Sequence, residues 1–171
     1  MTPTFLGIST AAPGNFFKNI DRIGEYLTIN VPSVFDLTEL QSLAVGTLGR
    51  ELVDHFAIHQ LPPLTSGPRR KQLHDAVHVI TGYGIDPIGE LEVQAFMLGS
   101  KFFPMHILLG IALFDPTDRQ RQTSQLNYRT IFHRVRRAYQ RGQRSGFDID
   151  TWQPEQQWHL PLTQVQQLFH L

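Results

Sequence analysis

The chain of 171 residues contains no cysteine, and this absence removes several classes of protein. Disulfide-stapled domains, zinc sites with thiolate ligands and iron–sulfur clusters all need cysteine. The absence fits any redox compartment, so it does not locate the protein. Metal-binding nitrogen atoms must therefore come from the eight histidines.

The sequence also lacks a net charge and a long uninterrupted apolar run. Fifteen basic and fifteen acidic residues leave no overall attraction to nucleic acid. The longest apolar stretch, residues 95–114, is interrupted by Lys101, Pro104 and His106, which favours two buried helical segments over a membrane span. No basic residue precedes Lys18, so the start resembles neither a secretory signal nor a transit peptide. We expect a cytoplasmic protein that has no signal peptide and no transmembrane helix.

Period-two alternation, the mark of a half-buried strand, is nearly absent, and residues 31–35 are the only weak strand candidate. Helical spacing and helix-stop signals are frequent instead. The predicted helices lie near residues 16–27, 36–43, 47–58, 70–81, 89–114 with a break at Pro104, 118–143 and 161–169. Asp36, with Glu39 three residues later, and Thr47 are the predicted N-caps of the second and third of these helices. The sequence therefore predicts one compact all-α domain over residues 1–171, with about seven helices and an apolar pocket between them.

The segment His74-Asp75-Ala76-Val77-His78 carries the strongest chemical signal. On a helix, each residue turns by about 100°, so His74, Asp75 and His78 fall within an arc of about 100°. Eleven residues later, after a turn with three glycines, Glu90 begins the next helix and can face the first one. Imidazole and carboxylate ligands suit Zn²⁺, with Fe²⁺, Mn²⁺ or Mg²⁺ not excluded. The alternative is an ordinary hydrogen-bonded His–Asp pair.

The pattern HDxxH, eleven residues and then E resembles the signature of the fourth of the numbered coenzyme Q (ubiquinone) biosynthesis proteins. Flanking segments resemble that family as well. They are residues 45–50, 89–96, 103–108 and 138–142, together with Trp152 and Trp158. The resemblance covers about residues 36–171, and the glycine pattern of residues 81–84 is typical of a divergent bacterial-type member.

The resemblance implies an all-helical fold and a metal, usually zinc, at His74, Asp75, His78 and Glu90. It implies a role at the membrane periphery in handling a prenylated aromatic or lipid ligand for ubiquinone biosynthesis. Two hypotheses follow: an enzyme that acts at C1 of a prenylated aromatic acid by oxidative decarboxylation, or a non-catalytic scaffold that presents it to partner enzymes. A third hypothesis is an HD-type phosphohydrolase. That class needs a further upstream His and a downstream Asp as metal ligands, and His55 and Asp118 could supply them. A homodimer stays open.

Three further features have competing interpretations. Phe96, Phe103 and Leu108 are the apolar residues that we expect to line a pocket for a prenyl chain. We expect most of the neighbouring apolar residues to belong to the hydrophobic core. Residues Arg119–Arg144 hold eight basic residues and no acid, which indicates a solvated face or attachment to an anionic membrane surface. His55 and His59 repeat the spacing of His74 and His78, either as a surface or core pair, as a second metal site, or with His55 supporting the first site.

Overall fold

The computed structural model describes residues 30–102 and 128–171, and within those ranges it contains seven α-helices and no β-strand. The helices are α1 (Leu37–Gln41), α2 (Leu48–His59), α3 (Arg69–Gln72), α4 (His74–Thr81), α5 (Pro87–Ser100), α6 (Tyr128–Arg144) and α7 (Leu162–Leu168). A single 3-10 turn, Pro154–Gln156, lies between α6 and α7. The all-α prediction is confirmed. The strand candidate at residues 31–35 is wrong, because no strand forms there and an isolated bridge joins only the preceding Asn30 to Pro68.

Several sequence predictions lie outside the described residues. They are the helix at residues 16–27, the break at Pro104, the helix start at Asp118, and the positions of Phe103 and Leu108. None of the helices in the described ranges combines the length and the apolar character needed to cross a membrane.

The helix ends follow the capping chemistry with two corrections. Asp36 accepts from the Thr38 amide at 2.7 Å, as predicted for the start of α1. Thr47 does not cap α2, because its hydroxyl donates to the Ala44 carbonyl at 2.7 Å. The predicted helix over residues 70–81 is interrupted at Leu73, which separates α3 from α4.

The core lies between α2, α4, α5 and the segment that follows α6. Phe96 on α5 is fully buried and packs against Phe147 at 5.7 Å between ring centroids. Phe147 in turn meets Trp152 edge to face at 5.2 Å. Among the described residues Phe96 is thus a core side chain, and its part in a prenyl slot stays a prediction.

Helices α5 and α6 pack closely against each other, and glycines allow the approach. A Cβ atom on Gly99 would lie 2.1 Å from the Tyr139 carbonyl oxygen, and one on Gly142 would lie 2.1 Å from the Phe96 carbonyl oxygen. Both contacts are far inside van der Waals distance, so each position requires glycine. This packing holds α6 along α5, the helix that carries Glu90.

Candidate metal centre

Three side chains from two helices converge at one end of the fold. His74 and His78 lie one turn apart on α4, and Glu90 lies in the first turn of α5. Asp86 sets the start of α5, since its carboxylate accepts from the Ile88 and Gly89 amides at 2.9 and 3.3 Å. Because of this cap, α5 begins at Pro87, two residues before the predicted start at Gly89. Glu90 faces His74 and His78 from the start of α5, as the sequence predicted.

The distances among the three side chains suit a bound cation. The Glu90 carboxylate oxygens lie 3.1 Å from His74 Nε2 and 3.2 Å from His78 Nε2. The two Nε2 atoms are themselves 3.2 Å apart. Ligands at about 2.0–2.1 Å from a tetrahedral Zn²⁺ are roughly 3.3 Å from each other. The His78 side chain has no exposed area, whereas His74 and Glu90 are 18% and 25% exposed, so the centre opens on one side.

The Tyr83 carbonyl oxygen fixes the orientation of His78. His78 Nδ1–H donates to it at 3.1 Å, so neutral His78 carries its lone pair on Nε2. That lone pair faces a carboxylate oxygen and a second imidazole nitrogen, an arrangement that a cation between them would stabilise. Sequence reasoning missed Tyr83, because its contribution is a backbone oxygen whose position depends on the turn.

The electrostatics of the centre show how strongly these groups interact. Burial opposes the charge on Glu90, but hydrogen bonds with His74 and His78 outweigh it and lower the pKa of Glu90 to about 2. Burial likewise opposes a charge on His78, yet the hydrogen bond and the negative charge of Glu90 raise the pKa of His78 above 6.5. The centre therefore attracts positive charge, in the form of a proton or of a metal ion.

Asp75, the predicted fourth ligand, does not belong to this group of three ligand atoms, which all lie within 4.8 Å of one another. Its side chain is buried, and burial raises the pKa of its carboxyl group. A role for Asp75 as a ligand stays a prediction.

His55 on α2 approaches the centre from a third helix. Its ring stacks on the His78 ring at 6.1 Å between centroids, with 23° between the planes. The His59 ring lies 4.7 Å from His55, on its own helix. Burial, followed by the neighbouring His59 and His78, lowers the pKa of His55 to about 4. His55 and His59 form no separate cluster of three ligands within the described ranges, and the proposed phosphohydrolase partner Asp118 lies outside them.

The basic helix α6 uses two of its arginines inside the fold. Arg134 forms a two-pronged ion pair with the buried Glu92 at 2.9 and 2.6 Å. Arg141 donates to the Thr81 carbonyl at 2.7 Å and lies over the Tyr83 ring at 5.4 Å. Attachment of residues Arg119–Arg144 to a membrane stays a prediction, and residues 119–127 lie outside the described ranges.

A cavity of about 690 Å³ lies beside α6. It is lined by Tyr83, Glu92, Arg134, Arg137, Ala138, Gln140, Arg141, Arg144 and His170. This lining is largely polar, and the cavity is not the apolar slot expected around Phe96.

Comparison with known proteins gives a consistent result. Residues 67–171 match the family model described as "Coenzyme Q (ubiquinone) biosynthesis protein Coq4". The mouse and rat mitochondrial ubiquinone biosynthesis protein COQ4 homologs are each 30% identical over 149 residues, covering 79% of this chain. The human homolog is 31% identical over 90 residues, which are 44% of this chain and 34% of that protein. The chain spans about half the length of the mouse and rat relatives, 54% in each case.

The fold is also similar to a solved structure. The crystal structure of a proposed ubiquinone biosynthesis protein from Nostoc punctiforme superposes with a TM-score of 0.62 at 20% sequence identity. The match covers 91% of this chain and 77% of the other. At this identity the likeness concerns the fold alone.

Proposed function

Because the chain belongs to the Coq4 family of coenzyme Q (ubiquinone) biosynthesis proteins, we propose that it takes part in ubiquinone biosynthesis as a metal-binding protein. The observation that carries this proposal is the convergence of His74, His78 and Glu90, whose ligand atoms are 3.1–3.2 Å apart. The family match over residues 67–171 includes all three.

In this proposal, His74 Nε2, His78 Nε2 and the Glu90 carboxylate hold a divalent ion, with Zn²⁺ as the first choice. Three protein ligands leave a position for a further molecule. A bound ion would supply a Lewis acid for an oxygen substituent of an aromatic ring. Asp75 is proposed as a supporting acidic group beside the centre, or as a fourth ligand after rearrangement of α4.

The chain's own residues would bind and orient that molecule. Tyr83 holds His78 in one tautomer, and the buried side of the centre at His78 excludes water. The exposed edges of His74 and Glu90 give access from solvent. We propose a prenylated aromatic acid as the ligand, with oxidative decarboxylation at C1 as the reaction served, either on this protein or on a partner enzyme that receives the ligand from it. In that reaction the carboxyl group leaves as CO2 and a hydroxyl group replaces it, and an external two-electron oxidant such as O2 takes up the electrons.

Metal loading of the purified chain tests the proposal directly. Wild-type protein, stripped with a chelator, is expected to bind about one Zn²⁺ per chain in a calorimetric titration. Glu90→Gln and His78→Ala remove a ligand, so each should weaken binding by more than the roughly 10- to 100-fold that loss of an outer hydrogen-bond partner costs. His159→Gln, an exposed histidine near the 3-10 turn, is the matched control and should bind as the wild type does.

A cell that depends on this chain for ubiquinone separates the roles. Loss of quinone with Glu90→Gln, while His159→Gln is normal, supports a functional centre. Normal quinone output from folded, metal-free Glu90→Gln protein would contradict it. Co-purified prenyl lipid without turnover by the purified protein favours the presenting role over the enzyme.

A further inference from the structure

The Nε2 atom of His55 is buried and has no hydrogen-bond partner in the described part of the chain. Buried side-chain nitrogen and oxygen atoms nearly always have a partner, so an exception calls for an explanation. His55 is not in a remote part of the core. Its ring lies against the candidate metal centre, so a molecule bound at the centre is a candidate hydrogen-bond partner for Nε2.

The surroundings of His55 direct attention to the centre. One face of its ring stacks on His78, whose Nε2 is one of the three ligand atoms. His59, which is exposed, meets the ring edge to face at 4.7 Å. The imidazole therefore borders the centre from α2 while the three ligand atoms come from α4 and α5.

We propose that His55 Nε2 hydrogen-bonds an oxygen atom of the molecule that occupies the centre, which makes His55 a positioning residue for a carboxylate or phenol ligand. The inference rests on the proposed function, because it requires a site that takes such a molecule. It adds a third helix to that site and assigns a recognition role that the HDxxH pattern does not contain.

A direct metal-binding role fits His55 less well. The three ligand atoms of His74, His78 and Glu90 lie within 4.8 Å of one another, and no nitrogen of His55 belongs to that group. Neighbouring ligands of a tetrahedral ion are only about 3.3 Å apart at bond lengths of about 2.0 Å. We therefore assign the unpartnered His55 Nε2 to the bound molecule and not to the ion. His59, one turn further along α2, is exposed and serves as a control.

Binding of benzoate to the Co²⁺-loaded protein tests the assignment. Co²⁺ replaces Zn²⁺ and reports on its surroundings through its visible spectrum, so metal affinity and benzoate affinity are measured separately. Loss of one hydrogen bond to a charged oxygen should weaken benzoate binding about tenfold in His55→Phe. The Co²⁺ affinity should stay within about threefold, well below the cost of losing a ligand.

Two variants distinguish recognition from packing. His55→Gln keeps an N–H donor near the original Nε2 and should recover most of the benzoate affinity. His59→Phe should bind both Co²⁺ and benzoate as the wild type does. If His55→Phe fails to fold, His55→Gln and His55→Leu replace it as the pair with and without a donor.

The remaining outcomes count against the proposal in different ways. Unchanged benzoate affinity in His55→Phe overturns the role of His55 and leaves the proposed function intact. A loss of Co²⁺ affinity by a hundredfold or more in folded His55→Phe makes His55 a ligand and overturns the proposal. Failure of the wild-type chain to bind Co²⁺ or Zn²⁺ overturns the proposed function, and this inference with it.

Discussion

His78 donates a hydrogen bond from Nδ1 to the Tyr83 carbonyl oxygen at 3.1 Å, which links a candidate metal ligand to the turn that follows its own helix. The turn begins at Gly82, where φ is +74° and the amide closes α4 on the His78 carbonyl at 2.8 Å. His78 therefore contributes its backbone carbonyl to the end of α4 and its imidazole ring to the metal centre. The conformation of this turn decides whether Nε2 of His78 faces Glu90.

Gly82→Ala tests that dependence. No atom lies within 4 Å of the added Cβ, so the cost comes only from the left-handed backbone, roughly 1 kcal/mol in the free energy of unfolding. Gly82→Asn should cost less, because asparagine tolerates that conformation. Urea unfolding measures both variants. Zn²⁺ affinity should fall no more than about tenfold in Gly82→Ala, and a greater loss would show that the turn does more than orient His78.

Asp75→Asn separates the predicted ligand set from the observed one. Asp75 lies outside the group formed by His74, His78 and Glu90, so we expect the neutral variant to keep Zn²⁺ affinity within about tenfold of wild type. Glu90→Gln, the matched change of the other carboxylate, should lower Zn²⁺ affinity by more than a hundredfold. Calorimetric titration compares the two. Equal losses would mean that Asp75 rotates into the ligand set when metal binds.

The sequence was informative where chemistry depends on spacing along one helix. The i, i+4 spacing of His74 and His78 and the glycine-rich turn before Glu90 were sufficient to predict that the three meet. They did not show that Asp75 lies outside the group of three ligand atoms, because a 100° arc on an ideal helix does not specify the direction of each side chain. His55 could be proposed only as one of several alternatives, since α2 and α4 meet through tertiary packing that local spacing does not encode.

The helix caps and the helix packing also differ in how far the local sequence predicts them. Asp36 was identified from its own local pattern and caps α1. Thr47 has an equally suitable local pattern, but its hydroxyl binds the Ala44 carbonyl because the preceding turn brings that oxygen near. The close α5–α6 contact was not predicted, since Gly99 and Gly142 are separated by 42 residues and neither shows its partner in the sequence.

Gly142→Ala should destabilise the fold strongly. The added Cβ would lie 2.1 Å from the Phe96 carbonyl oxygen, a backbone atom that cannot move without separating α5 from α6. We expect a loss of about 3 kcal/mol or more in the free energy of unfolding, at the upper end of overpacking effects. Gly99→Ala, with the reciprocal contact to Tyr139, should behave alike. Gly146→Ala is the control, because its nearest atom is 4.0 Å away, and a similar loss there would contradict the packing explanation.

Arg134→Ala should leave a buried carboxylate without its partner. Glu92 is 6% exposed and is held by two hydrogen bonds from the Arg134 guanidinium. The partial exposure of Arg134, 38%, moderates the effect, so we expect a loss of about 1–3 kcal/mol. Arg137→Ala on the same helix removes an exposed arginine and should change stability by less than about 0.5 kcal/mol. Thermal unfolding measures both variants. If Arg134→Ala and Arg137→Ala lower stability equally, the cause is the loss of positive charge on the helix and not the loss of the Arg134–Glu92 pair.

Asp150→Asn should remove a pH-dependent contribution to stability that does not involve the three metal-centre side chains. The hydrogen bond from Arg70, with further help from Lys101, lowers the pKa of Asp150 from 3.8 to about 2. A carboxyl group with a depressed folded pKa stabilises the native state above its unfolded pKa, and that stability is lost as the pH falls from about 4 to 2. Because the Asp150 side chain is 37% exposed, screening by solvent limits the contribution to a few tenths, up to about 1 kcal/mol.

Urea unfolding at two pH values tests this contribution. The free energy of unfolding of the wild type should exceed that of Asp150→Asn at pH 6, and the two values should converge near pH 2. High salt should narrow the gap at pH 6, because the charges that hold Asp150 are accessible to ions. A difference that persists unchanged at pH 2 would show that Asp150 acts through the hydrogen bond that its carboxylate geometry provides and not through its charge.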